Sequence, residues 1–386
     1  MGSVLDNVRV LDFSRVLAGP FATMLLADLG ATVTKVERPG IGDDTRSWGP
    51  PYDDRGDATY FQSVNRNKDS IVLDLTEPAD LEHAYNMARK ADVVIENFRP
   101  GVMERLGLGY DELRADNPAV IYCSITGFGR RAGAELPGYD LLVQAVGGLM
   151  SITGTPDGAP QKVGVALVDV LAGLFSTVGI LAALRYRDMT GQGQRVDVNL
   201  LSALLSGLVN QGSAYTAGAV IPSRMGNQHP SIAPYELLPC AEGDLVLAVG
   251  NDRQFGALCE VLGAPTLAQD QRFAANAARV EHRVALREEL VSRLVARPAA
   301  AWATVLTEAR VPAGVVNDVA AAFALAEDLG LAPVVRLARE DGSTVALTRN
   351  PIELSESPPT YRSAPPRLPH HPAPADTGRD SAIATP

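Results

Sequence analysis

Apolar runs of two lengths alternate along the first 130 residues of the chain. VRVLDF (8–13) has strand length, and GPFATMLLADLG (19–30) then opens on Gly19-Pro20, Pro being comfortable in a first helical turn, and closes on Gly30. ATVTKVE (31–37) is β-branched and reads as a strand. SIVLDL (70–75), EPADLEHAYNMARK (77–90), ADVVIEN (91–97) and AVIYCSITGFG (119–129) repeat strand, helix and strand. Alternation of this kind predicts a mostly parallel sheet with helices on both faces.

The rhythm then changes. Residues 139–210 look like core helices, YDLLVQAVGGLMSI and DVLAGLFSTVGILAALRYRD, separated by the glycine-rich turn TGTPDGAPQKVG. The longest uncharged apolar stretch, Val170 to Leu184 between Asp169 and Arg185, is 15 residues long. A bilayer needs about 20, so the stretch reads as a buried helix. YELLPCAEGDLVLAVG (235–250) reads as a hairpin turning at Glu242-Gly243-Asp244, with helical patterns at 252–262, 280–296 and 299–309. RLAREDGSTVAL (336–347) looks like a second hairpin around Asp341-Gly342. The expected architecture is α/β: a Rossmann-like parallel sheet in a large domain (1–224), a smaller α+β domain (225–330), and a further segment (331–357). Seven prolines between Pro358 and Pro374 make 358–386 an extended or flexible tail, with His370 and His371 solvated in it.

Charge and cysteine usage narrow the function classes. Lys plus Arg is 34 and Asp plus Glu is 45, a balance of −11, which argues against a nucleic-acid or anionic-membrane partner. Cys123, Cys240 and Cys259 have no short spacing, so neither a disulfide framework nor a zinc site is signalled, and a reducing, cytoplasmic setting is expected. The N-terminal residues carry no basic head or signal pattern.

The chemistry-bearing residues are few. No GxGxxG follows the first strand, where the chain reads FSRVLAGPF, and no GxxxxGK[ST], GxSxG or HExxH occurs. Ligands of open parallel sheets bind beyond the carboxyl ends of the strands, which gathers Val16, Leu17, Ala18, Arg38, Asn97, Phe98 and Arg99 around one crevice. Arg38, just past a strand end, is either a solvated arginine or a cation for a phosphate. His83 and His282 lie in charged helical runs, whereas His229 lies in a more open loop. One acid stands out: Asp169, with apolar neighbours on both sides and a long apolar helix after it. Such an Asp can cap the helix N-terminus, or it can be a desolvated carboxylate able to attack an acyl carbon. Both readings use the same placement.

Longer motifs then carry a family resemblance. FSRVLAGPFATMLLADLGATVTKVERPGIGDDTRSWGPP (13–51), TYFQSVNRNKDSIVLDL (59–75), VIENFRPGVMERLGLGYDEL (94–113), YCSITGFG (122–129), GYDLLVQAVGGLMSITGTPDGAPQKVGVALVDVLAGL (138–174) and GNDRQF (250–255) resemble the class III CoA-transferases, which include formyl-CoA transferase and L-carnitine CoA-transferase. The resemblance runs from about residue 7 to 355. It implies an interlocked, ring-like homodimer and a chain that returns to the large domain after the small one. It makes Asp169 the catalytic carboxylate, acting through mixed-anhydride and aspartyl-CoA thioester intermediates. The substrates are an acyl-CoA and a small carboxylate, with no metal or cofactor beyond CoA itself. By the same motifs, the CoA contacts are Val16, Leu17, Ala18, Arg38, Val72, Leu73, Asp74, Leu75, Asn97, Phe98, Arg99, Arg105, Tyr139 and Asp140.

Departures from the family pattern bear on substrate and on reaction class. Leu17 stands where formyl-CoA transferase has Gln, which argues against oxalate and formyl chemistry, and Pro137 stands where it has Lys. Gly250 and Asn251 occupy the place of a loop that is richer in glycine there, and PHHPAPADTG replaces a GQHT-like terminal helix. The family's α-methylacyl-CoA racemases use a GHD motif; here the chain reads Gly138-Tyr139-Asp140, and Tyr is a poor proton acceptor near neutral pH. The runs RVLAGPFATM, GDDTRSWGPP and SVNRNKDSI look most like the branch that takes CoA from succinyl-CoA for glutarate, hydroxymethylglutarate, citramalate, mesaconate or itaconate. A dicarboxylate needs a cation for its distal carboxylate, for which Arg46, Arg66 and Arg224 are candidates, with His229, Gly250 and Asn251 also placed near substrate. A monocarboxylate or carnitine-like acceptor, and a CoA-binding protein without turnover, are the alternative readings.

Overall fold

The computed structural model describes residues 2–371. The chain begins with β1 (Arg9–Asp12), α1 (Ala18–Asp28), β2 (Thr32–Glu37), a short α2 (Thr59–Ser63) and β3 (Lys68–Val72). It goes on through α3 (Pro78–Ala88), β4 (Val93–Glu96), α4 (Val102–Arg105), α5 (Tyr110–Asp116) and β5 (Ile121–Thr126). Next come α6 (Asp140–Val146), α7 (Leu149–Ile152), the long α8 (Leu167–Thr190), β6 (Arg195–Asn199), α9 (Leu200–Gly207) and α10 (Val209–Thr216). The remainder runs β7 (Tyr235–Pro239), β8 (Asp244–Ala248), α11 (Asp252–Val261), α12 (Asn276–Glu281), α13 (Arg283–Leu294), α14 (Ala299–Glu308) and β9 (Ala313–Val315). It closes with α15 (Val319–Asp328), β10 (Val334–Ala338) and β11 (Thr344–Thr348).

Strands β1 to β6 form one parallel sheet in the order β3-β2-β1-β4-β5-β6. The order reverses between β1 and β4, and a crevice must open there, because the connections leaving these two strands diverge to opposite sides. β4 and β5 are buried at every position, as continuous apolar strands covered on both faces must be. β6 was not anticipated from the sequence. Its RVDVN run is short and carries charge at alternate positions, which suits an edge strand and hides it from a search for apolar runs.

Helix α8 differs from expectation. It buries Val168, Ala172, Ile180 and Ala183. Gly173 lets it lie close against α1: a Cβ there would sit 2.7 Å from the Ala18 carbonyl oxygen. Leu174, Phe175, Val178 and Met189 are nevertheless exposed, so this helix is apolar on both sides and covered on one. By length and composition it is apolar enough to cross a bilayer.

The chain divides into two compact units. The larger comprises Met1–Val143, Val165–Val209 and the segment from Pro333 onward; the smaller comprises Gln144–Gly164 and Asn210–Ala332. The sequence reading kept 144–164 and 210–224 in the large domain. Within the smaller unit these stretches hold each other: the Gly226 N–H donates to the Gly154 carbonyl at 3.0 Å, and the Arg224 guanidinium donates to the carbonyls of Thr155 and Ser151. The rest of that unit is the expected α+β arrangement. An antiparallel sheet, β7-β8-β9, packs Leu238, Leu245 and Leu247 into a core with Phe255, Leu258, Leu290, Trp302 and Leu306.

The tail reading needs correction for 358–371. This stretch is extended and tied to the larger unit, while 372–386 lies outside the described residues. The Arg362 guanidinium donates to the carbonyls of Ala27, Gly30 and Ala31, at and just beyond the C-terminal end of α1. Ser363 and Arg362 donate backbone N–H groups to Asn67 Oδ1. His371 Nε2 contacts Asp80 at 2.6 Å, so this histidine is engaged rather than solvated.

Asp28, fully buried at the end of α1, organises this region. Its carboxylate accepts from Arg66 at 2.9 and 2.6 Å, from Asn67 at 2.8 Å and from Asn350 at 3.0 Å, and its carbonyl accepts the Thr360 N–H. One acid therefore gathers α1, the turn before β3 and the returning chain. Asp28→Ala leaves a buried guanidinium unpaired and should cost about 3–5 kcal/mol. Denaturant unfolding should show this, and a variant of unchanged midpoint would show that the network is dispensable.

Candidate functional site

The turn between β1 and α1 lies at the switch between β1 and β4, and it is held in an unusual shape. Val16 adopts φ 71°, a left-handed conformation that costs a β-branched residue about 1–3 kcal/mol and persists only where surroundings impose it. Three groups impose it here. The Asn97 side chain, at the end of β4, accepts the Arg15 N–H at 2.9 Å and donates to the Arg15 carbonyl at 2.7 Å. Lys35 Nζ donates to the Ser14 carbonyl at 2.8 Å. The Asp43 carboxylate accepts the Val16 N–H at 3.2 Å.

Behind the turn lies a buried set of charges. Lys35 Nζ is 2.8 Å from Asp43, Lys68 Nζ is 3.3 Å from Asp12, and all four side chains are fully buried. Burial pushes the Asp12 carboxyl up, but Lys68 and Lys35 outweigh it and hold the group below the usual carboxylate range. Burial lowers Lys68 to about 8, opposed by Asp12. Lys68 also donates to the carbonyls of Pro20 and of the Asn65 side chain at 2.9 Å, so its charge is shared with the start of α1.

Asp169 is the third residue of α8. It does not cap its helix. That role falls to Asp140, whose Oδ1 accepts the Val168 N–H at 2.8 Å and the Asp169 N–H at 3.3 Å. Asp140 is brought there by a crossing of two glycines: a Cβ on Gly138 would lie 2.5 Å from the Gly127 Cα. Relieved of capping, the half-buried Asp169 carboxylate has no hydrogen-bond partner among the described residues. Burial, and secondarily the Asp140 charge, push its pKa up to about 7. Tyr60, packed edge-on against Trp48 at 5.4 Å between ring centroids, is pushed up to about 12 by burial and by the charges of Asp169, Asp140 and Asp43. A neutral phenol in this field is a feature the sequence did not signal.

A cleft of about 380 Å³ brings eight of the expected residues together. Its lining includes Val16, Leu17 and Ala18 from the strained turn, Asn97, Phe98 and Arg99 after β4, Gly138 and Tyr139, and Asp169. A neighbouring, largely apolar groove shares Arg15, Phe98 and Val102 with it and adds Arg38, Leu73, Asp74, Leu75 and Arg105. Val72 is buried beneath and lines neither. Asn97 is spent on clamping Arg15 through both its amide groups. Arg38 donates to the Gly42 carbonyl and pairs with Asp44, so it is an exposed cation held in place on one side.

The substrate candidates fare differently. Arg46 forms a two-pronged pair with Glu37 at 2.7 and 2.7 Å, donates to the Pro366 carbonyl and lies over the Phe61 ring. Arg66 is sequestered on Asp28 and the Thr348 carbonyl. Both are structural, and neither lines the cleft. Arg224, His229, Gly250 and Asn251 belong to the smaller unit. Asn251 caps α11 by accepting the Gln254 N–H at 2.9 Å, while the Gln254 side chain accepts the Gly250 N–H. The His229 ring accepts from the Ser231 N–H and packs on Tyr235. The sequence reading passed over Arg15, which lines both the cleft and the groove. Among the described residues no cluster of three or more His, Cys, Asp or Glu could hold a metal ion.

Comparison with known proteins adds to this geometry. The profile of CoA-transferase family III matches residues 5–372. A succinate–glutarate CoA-transferase of Agrobacterium fabrum is 44% identical over 375 residues, 96% of this chain and 94% of that protein. An acetyl-CoA:oxalate CoA-transferase of Acetobacter aceti is 42% identical over 352 residues, 91% of this chain and 89% of that protein. The crystal structure of a CAIB/BAIF family protein from Brucella suis superposes with a TM-score of 0.84 at 42% identity, over 95% of this chain and 97% of that one.

The raised Asp169 pKa has a consequence for stability. The folded state binds this proton more tightly than the unfolded chain does, so the contribution of this group to stability is full below about pH 4, falls as pH rises towards 7 and is then level. Asp169→Asn should therefore raise the melting temperature at pH 8 and make no difference near pH 4. Equal melting temperatures at pH 8 would show an unperturbed carboxyl. Asp140→Asn keeps a cap and removes a like charge, and should move the Asp169 titration to lower pH.

Proposed function

The chain belongs to CoA-transferase family III, and on that premise we propose that it moves CoA from succinyl-CoA to a small dicarboxylate, with Asp169 as the nucleophile. The observation that carries this reading is the Asp169 carboxylate, without a hydrogen-bond partner among the described residues, in the cleft formed by the β1–α1 turn and the end of β4. Relatives named for glutarate and for oxalate have a two-carboxylate acceptor in common, which supports a dicarboxylate here. Oxalate therefore belongs among the acceptors to be tested, although Leu17 replaces the polar turn residue expected for it.

The residues can perform the transfer in four displacements. The Asp169 carboxylate attacks the thioester carbonyl; the C–S bond breaks and CoA leaves as its thiolate, with a mixed anhydride left behind. The thiolate attacks the aspartyl carbonyl of that anhydride and expels succinate, which leaves an aspartyl-CoA thioester. The acceptor carboxylate attacks this thioester, releasing thiolate and forming a second anhydride. Thiolate then attacks the acceptor's acyl carbon and returns Asp169 as a carboxylate. A site that strips water from Asp169 sharpens its attack and protects the anhydrides from hydrolysis. The same requirement sets the pH dependence, since only the ionised carboxylate attacks.

The proposal includes a homodimer. Its support is the exposed apolar face of α8, whose Leu174, Phe175, Val178 and Met189 are the kind of surface a second copy covers. A cytoplasmic, reducing setting completes it, in keeping with free Cys123, Cys240 and Cys259.

Succinyl-CoA mixed with a panel of glutarate, citramalate, mesaconate, itaconate and oxalate should yield at least one new acyl-CoA mass. If only a monocarboxylate or carnitine accepts CoA, the acceptor class is wrong. Asp169→Ala should lower turnover by at least about 10³-fold while CoA binding by calorimetry persists; residual transfer at the parent rate would remove Asp169 from the mechanism. The first turnover should weaken as pH falls below about 7, the value to which burial raises Asp169. Light scattering after gel filtration should give twice the chain mass, and a monomer would refute the dimer.

A further inference from the structure

With Arg46 and Arg66 committed to buried acids, the distal carboxylate of a dicarboxylate needs another cation, and the cleft supplies one. Arg15 follows β1 in the strained turn, and Asn97 pins its backbone from both sides at 2.9 and 2.7 Å. Its guanidinium lies over the Phe98 ring, 5.0 Å from the centroid, which restricts the plane in which it can turn. Among the described residues its one ionic contact is with Asp44, Nη1 to Oδ2 at 3.5 Å, and both side chains are 35% exposed. The guanidinium makes no other hydrogen bond among the described residues. It is therefore oriented, partly dehydrated and poorly satisfied, with donors free for an incoming anion.

We propose that Arg15 is the residue that recognises the distal carboxylate of the acyl group and of the acceptor, giving up its long contact with Asp44 for a two-pronged bond to substrate. The inference rests on the CoA-transferase reading of the cleft and adds the residue that sets its substrate class. Location separates Arg15 from the other arginines. Arg38 and Arg105 line only the apolar groove, which Asp169 does not line. Arg99 lines the cleft but is exposed, and no contact among the described residues fixes its guanidinium. Arg15 borders both spaces, where the acyl end of a CoA thioester meets the carboxylate that attacks it. Asp44 has a second partner, Arg38, so its charge stays compensated when Arg15 turns to the substrate. Both substrates of the exchange are dicarboxylates in this reading, so one residue serves both half-reactions.

The test compares succinyl-CoA with butyryl-CoA, which has the same chain length and a methyl group in place of the distal carboxylate. The full-length parent, Arg15→Gln and Arg15→Lys are each assayed for kcat/KM with both donors, and free CoA binding is titrated separately. Arg15→Gln should lower the ratio of succinyl-CoA to butyryl-CoA kcat/KM by roughly 10- to 100-fold, the range for a lost charged hydrogen bond. Free CoA affinity should be unchanged within about threefold, and Arg15→Lys should recover part of the ratio. A uniform loss on both donors with weakened CoA binding would make Arg15 a phosphate contact and overturn the proposal. An unchanged ratio would overturn it as well. A parent enzyme that transfers CoA to no dicarboxylate would instead sink the functional reading itself, so the two failures are distinct. Should Arg15→Gln not fold, Arg15→Lys alone still reads the ratio.

Discussion

The cleft exists because a row of buried charges bends the chain after β1. Lys35 and Lys68 project from adjacent strands into a space with no water, and each needs a counter-charge there; Asp12 and Asp43 supply it. An unpaired charge at such depth costs several kcal/mol, so none of the four can be moved alone. Because Asp43 also takes the Val16 N–H and Lys35 also takes the Ser14 carbonyl, the ionic set fixes main chain as well as side chains. The turn is forced into a conformation Val16 would not choose. The strain is offset in the core and expressed at the surface, where backbone and side chains face the cleft.

Asp169 depends on a division of labour between two acids. A helix N-terminus with an acid in its first turn ordinarily uses that acid as its cap, which would occupy the carboxylate with backbone N–H groups and depress its pKa. Asp140 arrives from α6 and takes those N–H groups instead. This leaves the Asp169 carboxylate free of backbone donors among the described residues, and the Asp140 charge then adds to burial in raising the Asp169 pKa. Backbone contact between Gly127 and Gly138, which no larger residue would permit, is what lets α6 begin close enough for this exchange.

The arginines sort by the depth of their partners. Arg46 and Arg66 meet carboxylates that are themselves almost wholly buried, with two-pronged geometry, and serve as staples between the sheet and the returning chain. Arg15 and Arg38 share one half-exposed Asp44, an arrangement that leaves donor capacity unspent at the edge of the cleft. Two arginines that the sequence offers for substrate thus hold the fold together, and the cation with unspent donors sits in the turn after β1.

Much of this was legible in the order of residues alone. Strand and helix alternation up to Thr126 named the fold class, because a parallel sheet covered on both faces demands continuous apolar strands. Asp169 stood out because a lone charge between apolar runs must be capped, paired or reactive. Motif resemblance added the family and the groove residues. Local pattern could not reveal β6, whose edge position removes the apolar signature, or the packed stretch 358–371, whose order comes from contacts with Asp28, Asn67 and the end of α1, some 300 residues earlier. Nor could it say which acid caps α8, or which arginines are spent. Those are questions of partnership between groups distant in sequence, and only the tertiary structure, by deciding which charges share a dry space, answers them.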